Sequence, residues 1–156
     1  LFLMSDHLVD LYQDIILDHN RHPRNSRKIH TATHQSEGIN PLCGDEVTIY
    51  LDLLDERITD ISFQGQGCAI SQASASLMTE MLKGLDLDET RQHSKILHDL
   101  LNSEEDAQDA LLRYGNLAAL SGVRKFPARI KCATLAWHAL EAALRGKDSI
   151  STEEEL

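Results

Sequence analysis

The sequence has few basic residues and few aromatic side chains. The first shortage argues against a nucleic acid partner, and the second limits the kinds of side chain that can build the core. Its 156 residues carry 25 acidic against 15 basic side chains, a formal net charge of −10. Proteins that bind a nucleic acid duplex normally present a basic face, so we expect no nucleic acid partner. Aromatic residues make up 4% of the chain and hydrophobic residues 42%. We therefore expect a core built mostly of Leu, Ile, Val and Ala.

Long hydrophobic runs are also missing. No stretch approaches the roughly 20 consecutive apolar residues that a membrane helix needs, so we expect no membrane partner. The first eight residues, LFLMSDHL, hold too short an apolar stretch for a secretory signal, and we expect Met4 to be the natural start. These features predict a cytoplasmic protein.

Cysteine is scarce as well, with only Cys43, Cys68 and Cys132. An odd number of cysteines in a reducing compartment argues against a disulfide framework. Three roles remain for the thiols: small buried side chains, a nucleophile, or metal ligands.

The first half of the chain predicts one helix and then strands. Residues 5–20 have apolar side chains at helical spacing, with Ser5 as the expected N-cap. Residues 46–54 alternate apolar and polar side chains, which is typical of a half-buried strand, and residues 58–64 continue as its hairpin partner. Residues 36–40 suggest a further short strand.

The second half predicts helices, over residues 69–84, in short pieces over 85–121, and over 128–146. Strands followed by helices favour an α+β fold, with a small antiparallel sheet and helices packed on one face. We expect a single domain over residues 5–147. The acidic end, residues 148–156, is expected to be a disordered tail.

Each cysteine falls at a boundary between predicted elements. Cys43 precedes the main strand, Cys68 lies where a strand meets a helix start, and Cys132 lies near the start of the last helix. These boundaries could meet at one end of the sheet. The helix start favours a thiolate at Cys68. With Asp45, the three thiolates would give the four ligands of a tetrahedral zinc site.

Spacing alone leaves other interpretations open. The cysteines are separated by 25 and 64 positions, unlike the paired CxxC spacing of zinc ribbons. They could be buried thiols with Asp45 as a turn residue, ligands of a purely structural zinc, or a hydrolase nucleophile without an identifiable base. Four histidines of the N-terminal region fit no single site and are expected to be mostly solvated: His19, His22, His30 and His34.

Four longer stretches narrow these alternatives. They read LYQDIILDHNRHPRN, NPLCGDEVTIYLDL, FQGQGCAISQASASLMTEML and RIKCATLAWHAL, and together they resemble the SufU and IscU family of iron–sulfur cluster assembly proteins (NifU N-terminal-like). The resemblance implies an α+β fold with a three-stranded antiparallel sheet and helices on one side. It also implies that Cys43, Asp45, Cys68 and Cys132 converge as metal ligands.

Details of the motifs resemble the SufU branch of that family. IscU-type scaffolds carry a histidine before the third cysteine and an LPPVK segment upstream, whereas this chain has Lys131 and VRKFPAR. Residues 85–121 look like the insertion of SufU-type proteins. The alternative that the resemblance leaves open is a scaffold on which a [2Fe–2S] cluster is assembled and transferred.

The SufU resemblance implies a Zn²⁺-dependent sulfur acceptor, a sulfurtransferase-type carrier that activates a cysteine desulfurase. The implied partner is a pyridoxal-phosphate-dependent desulfurase of the SufS type, whose persulfide sulfur passes to Cys43 and then to a downstream scaffold. A histidine of the desulfurase is implied to replace Cys43 on the zinc. Arg129 is implied to contact the partner beside the site. From the residues alone, the basic cluster around Arg129 could equally balance the charge of the site.

Overall fold

A four-stranded sheet with helices packed on it forms the framework of the chain. The computed structural model describes residues 2–153, without the side chains of residues 2–7 and 107. In chain order, the elements are α1 (Phe2–Arg21), β1 (His34–Asn40), β2 (Asp45–Leu54), β3 (Arg57–Gln66), α2 (Ala69–Leu82), α3 (Leu87–Leu101), α4 (Ala107–Tyr114), a 3₁₀ helix (Gly115–Lys125), α5 (Pro127–Leu144) and β4 (Ser149–Ser151). This is the α+β architecture that the sequence predicts.

The sheet is larger than expected and mixed rather than purely antiparallel. Its strand order is β3-β2-β1-β4, with β1, β2 and β3 antiparallel and β4 parallel to β1. The prediction of a disordered tail from residue 148 is therefore wrong for Ser149–Ser151. Only Ile150 of that strand is buried, at 2% exposure, and one apolar side chain gives no alternation to detect. Residues 154–156 of the predicted tail lie outside the described residues.

The core forms where α5 packs on the central strands. Val47, Ile49 and Leu51 of β2 alternate into it and are at most 3% exposed. Gly38 of β1 allows the helix to come close, because a Cβ there would lie 3.1 Å from Leu135 and 3.2 Å from Ala139. The close approach of α5 to β1 places the start of α5 beside the end of β1.

The ends of the helices follow from local chemistry, with one departure from expectation. α1 begins at Phe2, so Ser5 lies inside the helix and its predicted N-cap role is wrong. Leu3 and Met4, both favourable in helices, continue it upstream. Pro127 stands at the start of α5, where its missing N–H costs nothing.

None of the helices within residues 2–153 combines the length and apolar composition that a membrane span requires.

Candidate metal centre

The turn between β1 and β2 presents the first cysteine. Cys43 is exposed and follows the end of β1. Its backbone N–H donates to the Asn40 carbonyl at 3.3 Å, and that of Gly44 donates to the same oxygen at 2.9 Å. Asp45 then opens β2 with only 1% of its surface exposed. The turn thus holds one exposed thiol next to one buried carboxylate.

The second cysteine is the N-cap of α2, in agreement with the sequence prediction. The Sγ of Cys68 accepts from the Ser71 N–H at 3.5 Å. Its own N–H donates to Asp45 Oδ1 at 2.8 Å, and its Sγ lies 3.6 Å from Asp45 Oδ2. Gly67, with φ of +151°, makes this approach possible, because a Cβ there would overlap the Asp45 carboxylate. One carboxylate oxygen is therefore fixed by the backbone, while the other faces the thiol.

The third cysteine lies in the second turn of α5 and is buried, at 3% exposure. The Sγ of Cys132 is 3.8 Å from that of Cys43 and 3.7 Å from Asn40 Nδ2. Burial raises the pKa of the Cys132 thiol, and contact with the neighbouring Asp45, Cys68 and Cys43 raises it further. A bound cation would counter this shift, because an opposite charge close to a thiol favours its thiolate form.

Three of these groups lie close enough together to share one metal ion, and two separations can be compared with the edges of a zinc tetrahedron. Ligand atoms of Cys43, Asp45 and Cys132 all lie within 4.8 Å of one another. With Zn–S bonds of about 2.3 Å and Zn–O bonds of about 2.0 Å, a tetrahedron has S···S edges of about 3.8 Å and S···O edges of about 3.5 Å. The observed Cys43–Cys132 and Cys68–Asp45 distances, 3.8 and 3.6 Å, agree with these edges. These two edges fit zinc, but Cys68 is not part of the mutually close group, so its place as the fourth ligand stays a prediction.

The structure brings the four predicted ligands to one end of the sheet, while their binding of a metal stays a prediction. Arg129 is exposed, and its guanidinium lies 4.9 Å from the ring centroid of Phe126. Within residues 2–153 it forms no ion pair, and its role as a partner contact stays a prediction. Lys131, which precedes Cys132 in the chain, pairs with Glu153 at 2.7 Å.

Sequence reasoning missed two buried polar residues. The sequence predicts mostly solvated N-terminal histidines, but His19 is 3% exposed, with Nδ1 2.7 Å from Ser76 Oγ. Asn40 is fully buried between the Cys43 turn and Cys132. Its only sequence signal is its place before Pro41, directly upstream of the first cysteine.

Known proteins with similar sequences and structures place this geometry in a family. The chain is 43% identical over 131 residues to the zinc-dependent sulfurtransferase SufU of Bacillus subtilis, covering 84% of this chain and 87% of that one. It is 37% identical over 135 residues to the iron–sulfur cluster assembly scaffold protein IscU of Thermotoga maritima, covering 86% and 93%. A putative iron–sulfur cluster assembly scaffold protein for the SUF system, from Fervidobacterium islandicum, has a solved structure that superposes with a TM-score of 0.74 at 35% identity, covering 83% of this chain and 93% of that one.

Residues 11–147 match the family described as NifU-like N-terminal domain. This match spans most of the chain, from within α1 to just beyond α5, and includes all three cysteines and Asp45. The chain belongs to the NifU-like N-terminal domain family.

Proposed function

We propose that this protein is a zinc-dependent sulfur acceptor in iron–sulfur cluster assembly, with Zn²⁺ held by Cys43, Asp45, Cys68 and Cys132. The observation that carries the proposal is the close grouping of Cys43, Asp45 and Cys132, together with Cys43–Cys132 and Cys68–Asp45 separations that agree with two edges of a zinc tetrahedron. The zinc dependence of the SufU relative supports the choice of metal. Bound zinc would keep the thiols deprotonated at neutral pH.

Cys43 is the proposed acceptor because its sulfur is the least restrained of the three. It is exposed on a turn, and its one sulfur contact within residues 2–153 is with Cys132. Cys68 is also exposed, but its sulfur caps α2 and faces Asp45, while Cys132 is buried. An acceptor thiol must reach a sulfur on another protein, and Cys43 alone combines exposure with freedom from such anchors.

The proposed reaction is exchange between a thiolate and a persulfide. A pyridoxal-phosphate-dependent cysteine desulfurase of the SufS type supplies the persulfide on its own cysteine. The Cys43 thiolate attacks the terminal sulfur, a new S–S bond forms on Cys43, and the cysteine thiolate of the desulfurase leaves. Electrons balance without an external oxidant or reductant. A downstream scaffold receives the sulfur, and the cytoplasm is the expected compartment.

Exposed side chains next to Cys43 in the chain, and at the start of the helix that carries Cys132, support docking of such a partner. Leu42 is 66% exposed and Phe126 is 50% exposed, and Arg129 stacks on Phe126. An arginine that stacks on an aromatic ring and forms no ion pair within residues 2–153 is available to a carboxylate of a partner. We expect Arg129→Ala to raise the apparent KM of the desulfurase for this protein several-fold, as charged contacts at interfaces typically do. Arg21→Ala, an exposed arginine on α1, is the matched control and should leave the KM unchanged.

Labelled sulfur tests the acceptor directly. The protein is incubated without oxygen with a SufS-type desulfurase and ³⁵S-cysteine, alkylated, digested without reductant, and mapped by mass spectrometry. The proposal predicts the additional sulfur on the peptide that contains Cys43, and loss of label in Cys43→Ser. A persulfide on Cys68 or Cys132 in the unmodified protein would contradict the assignment.

A second function, assembly of a [2Fe–2S] cluster, has one observation in its favour. Three thiolates and a carboxylate also suit iron, and the Thermotoga relative is an IscU scaffold. Lys131, bound to Glu153, cannot supply the imidazole that scaffolds of this family are expected to carry. A visible absorption band in anaerobically purified protein, with stoichiometric iron and acid-labile sulfide, would favour the scaffold.

A further inference from the structure

The C-terminal strand reaches the metal centre. β4 runs parallel to β1, pairing Gly38 with Ile150 and Ile39 with Ser151. The next residue, Thr152, donates its backbone N–H to the Ile39 carbonyl at 2.9 Å. This pairing brings the Thr152 side chain beside Asn40, the last residue of β1.

Asn40 joins this strand to the ligands. Its Oδ1 accepts from the Leu42 N–H at 3.2 Å and from the Thr152 hydroxyl at 3.3 Å, and its Nδ2 donates to Cys132 Sγ at 3.7 Å. Only an oxygen can accept from the Leu42 N–H, so the backbone fixes the amide orientation and turns the Nδ2 donor towards the sulfur. In the sheet, Asn40 stands directly opposite Asp45.

A donor in this place affects metal binding in two ways. An N–H directed at a thiolate stabilises its charge and orients its lone pairs, as groups that hydrogen-bond to metal ligands do. The backbone carbonyl of Asn40 also accepts from the N–H groups of Cys43 and Gly44. The backbone of the same residue therefore fixes the turn that carries the exposed thiol. Asn40 is fully buried. If its amide donor is removed, water does not readily take its place, and the partner group is left without a hydrogen bond.

We propose that Asn40, held by the Thr152 hydroxyl, is a positioning residue that keeps Cys43 and Cys132 at metal-binding distance and donates to the Cys132 sulfur. The C-terminal strand is then part of the metal centre rather than an appendage. The inference rests on the proposed metal site, but not on sulfur transfer. It can therefore be tested on the protein alone.

The test uses cobalt(II), whose thiolate-to-metal charge-transfer bands report on sulfur donation, together with zinc affinity from competition with a chromophoric chelator. Asn40→Asp keeps the acceptor oxygen and removes the donor to Cys132. We expect zinc affinity to fall about 10- to 100-fold, the usual effect of losing a partner of a metal ligand. The charge-transfer bands should move to lower energy, because a thiolate without a hydrogen bond gives up charge more readily.

Substitutions of Thr152 provide an independent test of the inference. This test remains available if Asn40→Asp does not fold. Thr152→Val removes the hydroxyl at nearly constant shape and should weaken zinc binding about 2- to 10-fold, the loss of one neutral hydrogen bond. Thr152→Ser keeps the hydroxyl and should restore the affinity. Glu153→Gln, which alters only the exposed pair with Lys131, is the control and should change the affinity little.

Two results obtained with the variants overturn the inference. In the first, Asn40→Asp or Thr152→Val leaves affinity and bands as in the unmodified protein. In the second, Thr152→Ser is as weak as Thr152→Val. If the unmodified protein binds neither zinc nor cobalt, the metal centre itself is refuted and the role of Asn40 with it. If these variants behave as expected while no sulfur reaches Cys43, only the transfer proposal fails.

Discussion

Substituting Gly67 by alanine should damage the metal centre without replacing any of the proposed ligands. Gly67 has φ of +151°, and a Cβ built on it would overlap the Oδ1, Cγ and Cβ atoms of Asp45. The carboxylate is buried and holds the Cys68 N–H, so it cannot move aside without breaking that bond. The substitution therefore displaces a proposed ligand from a neighbouring position.

Two contributions set the size of the effect. Backbone strain from a side chain at this φ costs about 1–3 kcal/mol of folding stability. Loss of the hydrogen bond from Cys68 N–H to the Asp45 carboxylate costs about 1.5–3 kcal/mol, the usual range for a hydrogen bond to a charged group. Each 1.4 kcal/mol is about a tenfold change in an equilibrium constant. If the second contribution falls on metal binding, zinc affinity drops about 10- to 100-fold.

The assay compares two alanine substitutions at positive φ. Gly84 has φ of +89°, and nothing lies within 4 Å of the position that a Cβ would occupy, so Gly84→Ala adds strain without a clash. We expect both variants to lower the free energy of unfolding in denaturant, and only Gly67→Ala to lower zinc affinity in chelator competition. Equal zinc affinity in the two variants would refute the reasoning that a residue without a Cβ is required at position 67 to leave room for the Asp45 carboxylate.

Other substitutions test the core and its pH dependence. Ser74 donates to the Ala133 carbonyl at 2.6 Å and accepts from the Trp137 indole at 3.2 Å; we expect Ser74→Ala to cost about 1–3 kcal/mol in denaturant unfolding, since it leaves a buried donor unpaired. The buried Ser62 hydroxyl has no partner in the described part of the chain, so Ser62→Ala should be neutral or stabilising, and a loss as large as that of Ser74→Ala would contradict this view. Burial, and then the charge of Arg24, lowers the pKa of His19, so the unfolded chain binds more protons. Its contribution to stability is full above the unfolded pKa of about 6.5 and is lost progressively as pH falls from that value through the lower pKa of the folded state. Urea titrations from pH 7.5 to 5 should therefore show a shallower decline in His19→Gln, and an unchanged decline would exclude His19 as a source.

Local patterns made the centre of the fold predictable. The alternation in β2 follows from one buried face, so the sequence displays it directly in Val47, Ile49 and Leu51. The position of Cys68 at a helix start is also local, because a glycine-containing turn precedes an alanine-rich helix. The resemblance of the motifs then brought the four proposed ligands together, which their spacing alone did not require.

Features that depend on distant partners were missed for a common physical reason. The burial of His19 depends on Ser76, 57 positions away, and that of Asn40 on Cys132, 92 positions away. β4 has three residues and forms only because β1 offers a free edge. None of these contacts leaves a periodic signal, and the acidic composition around β4 favoured disorder instead.

Metal and sulfide analysis after exposure to the complete sulfur-donating system tests the central claim most directly. The protein, purified without oxygen, is incubated with a SufS-type desulfurase, cysteine and ferrous iron, then re-isolated and analysed for zinc, iron and acid-labile sulfide. The zinc-dependent acceptor predicts about one zinc per chain, as expected for one four-ligand site, without stoichiometric iron or labile sulfide. Zinc replaced by iron with matching sulfide would contradict the account and establish the scaffold function in its place.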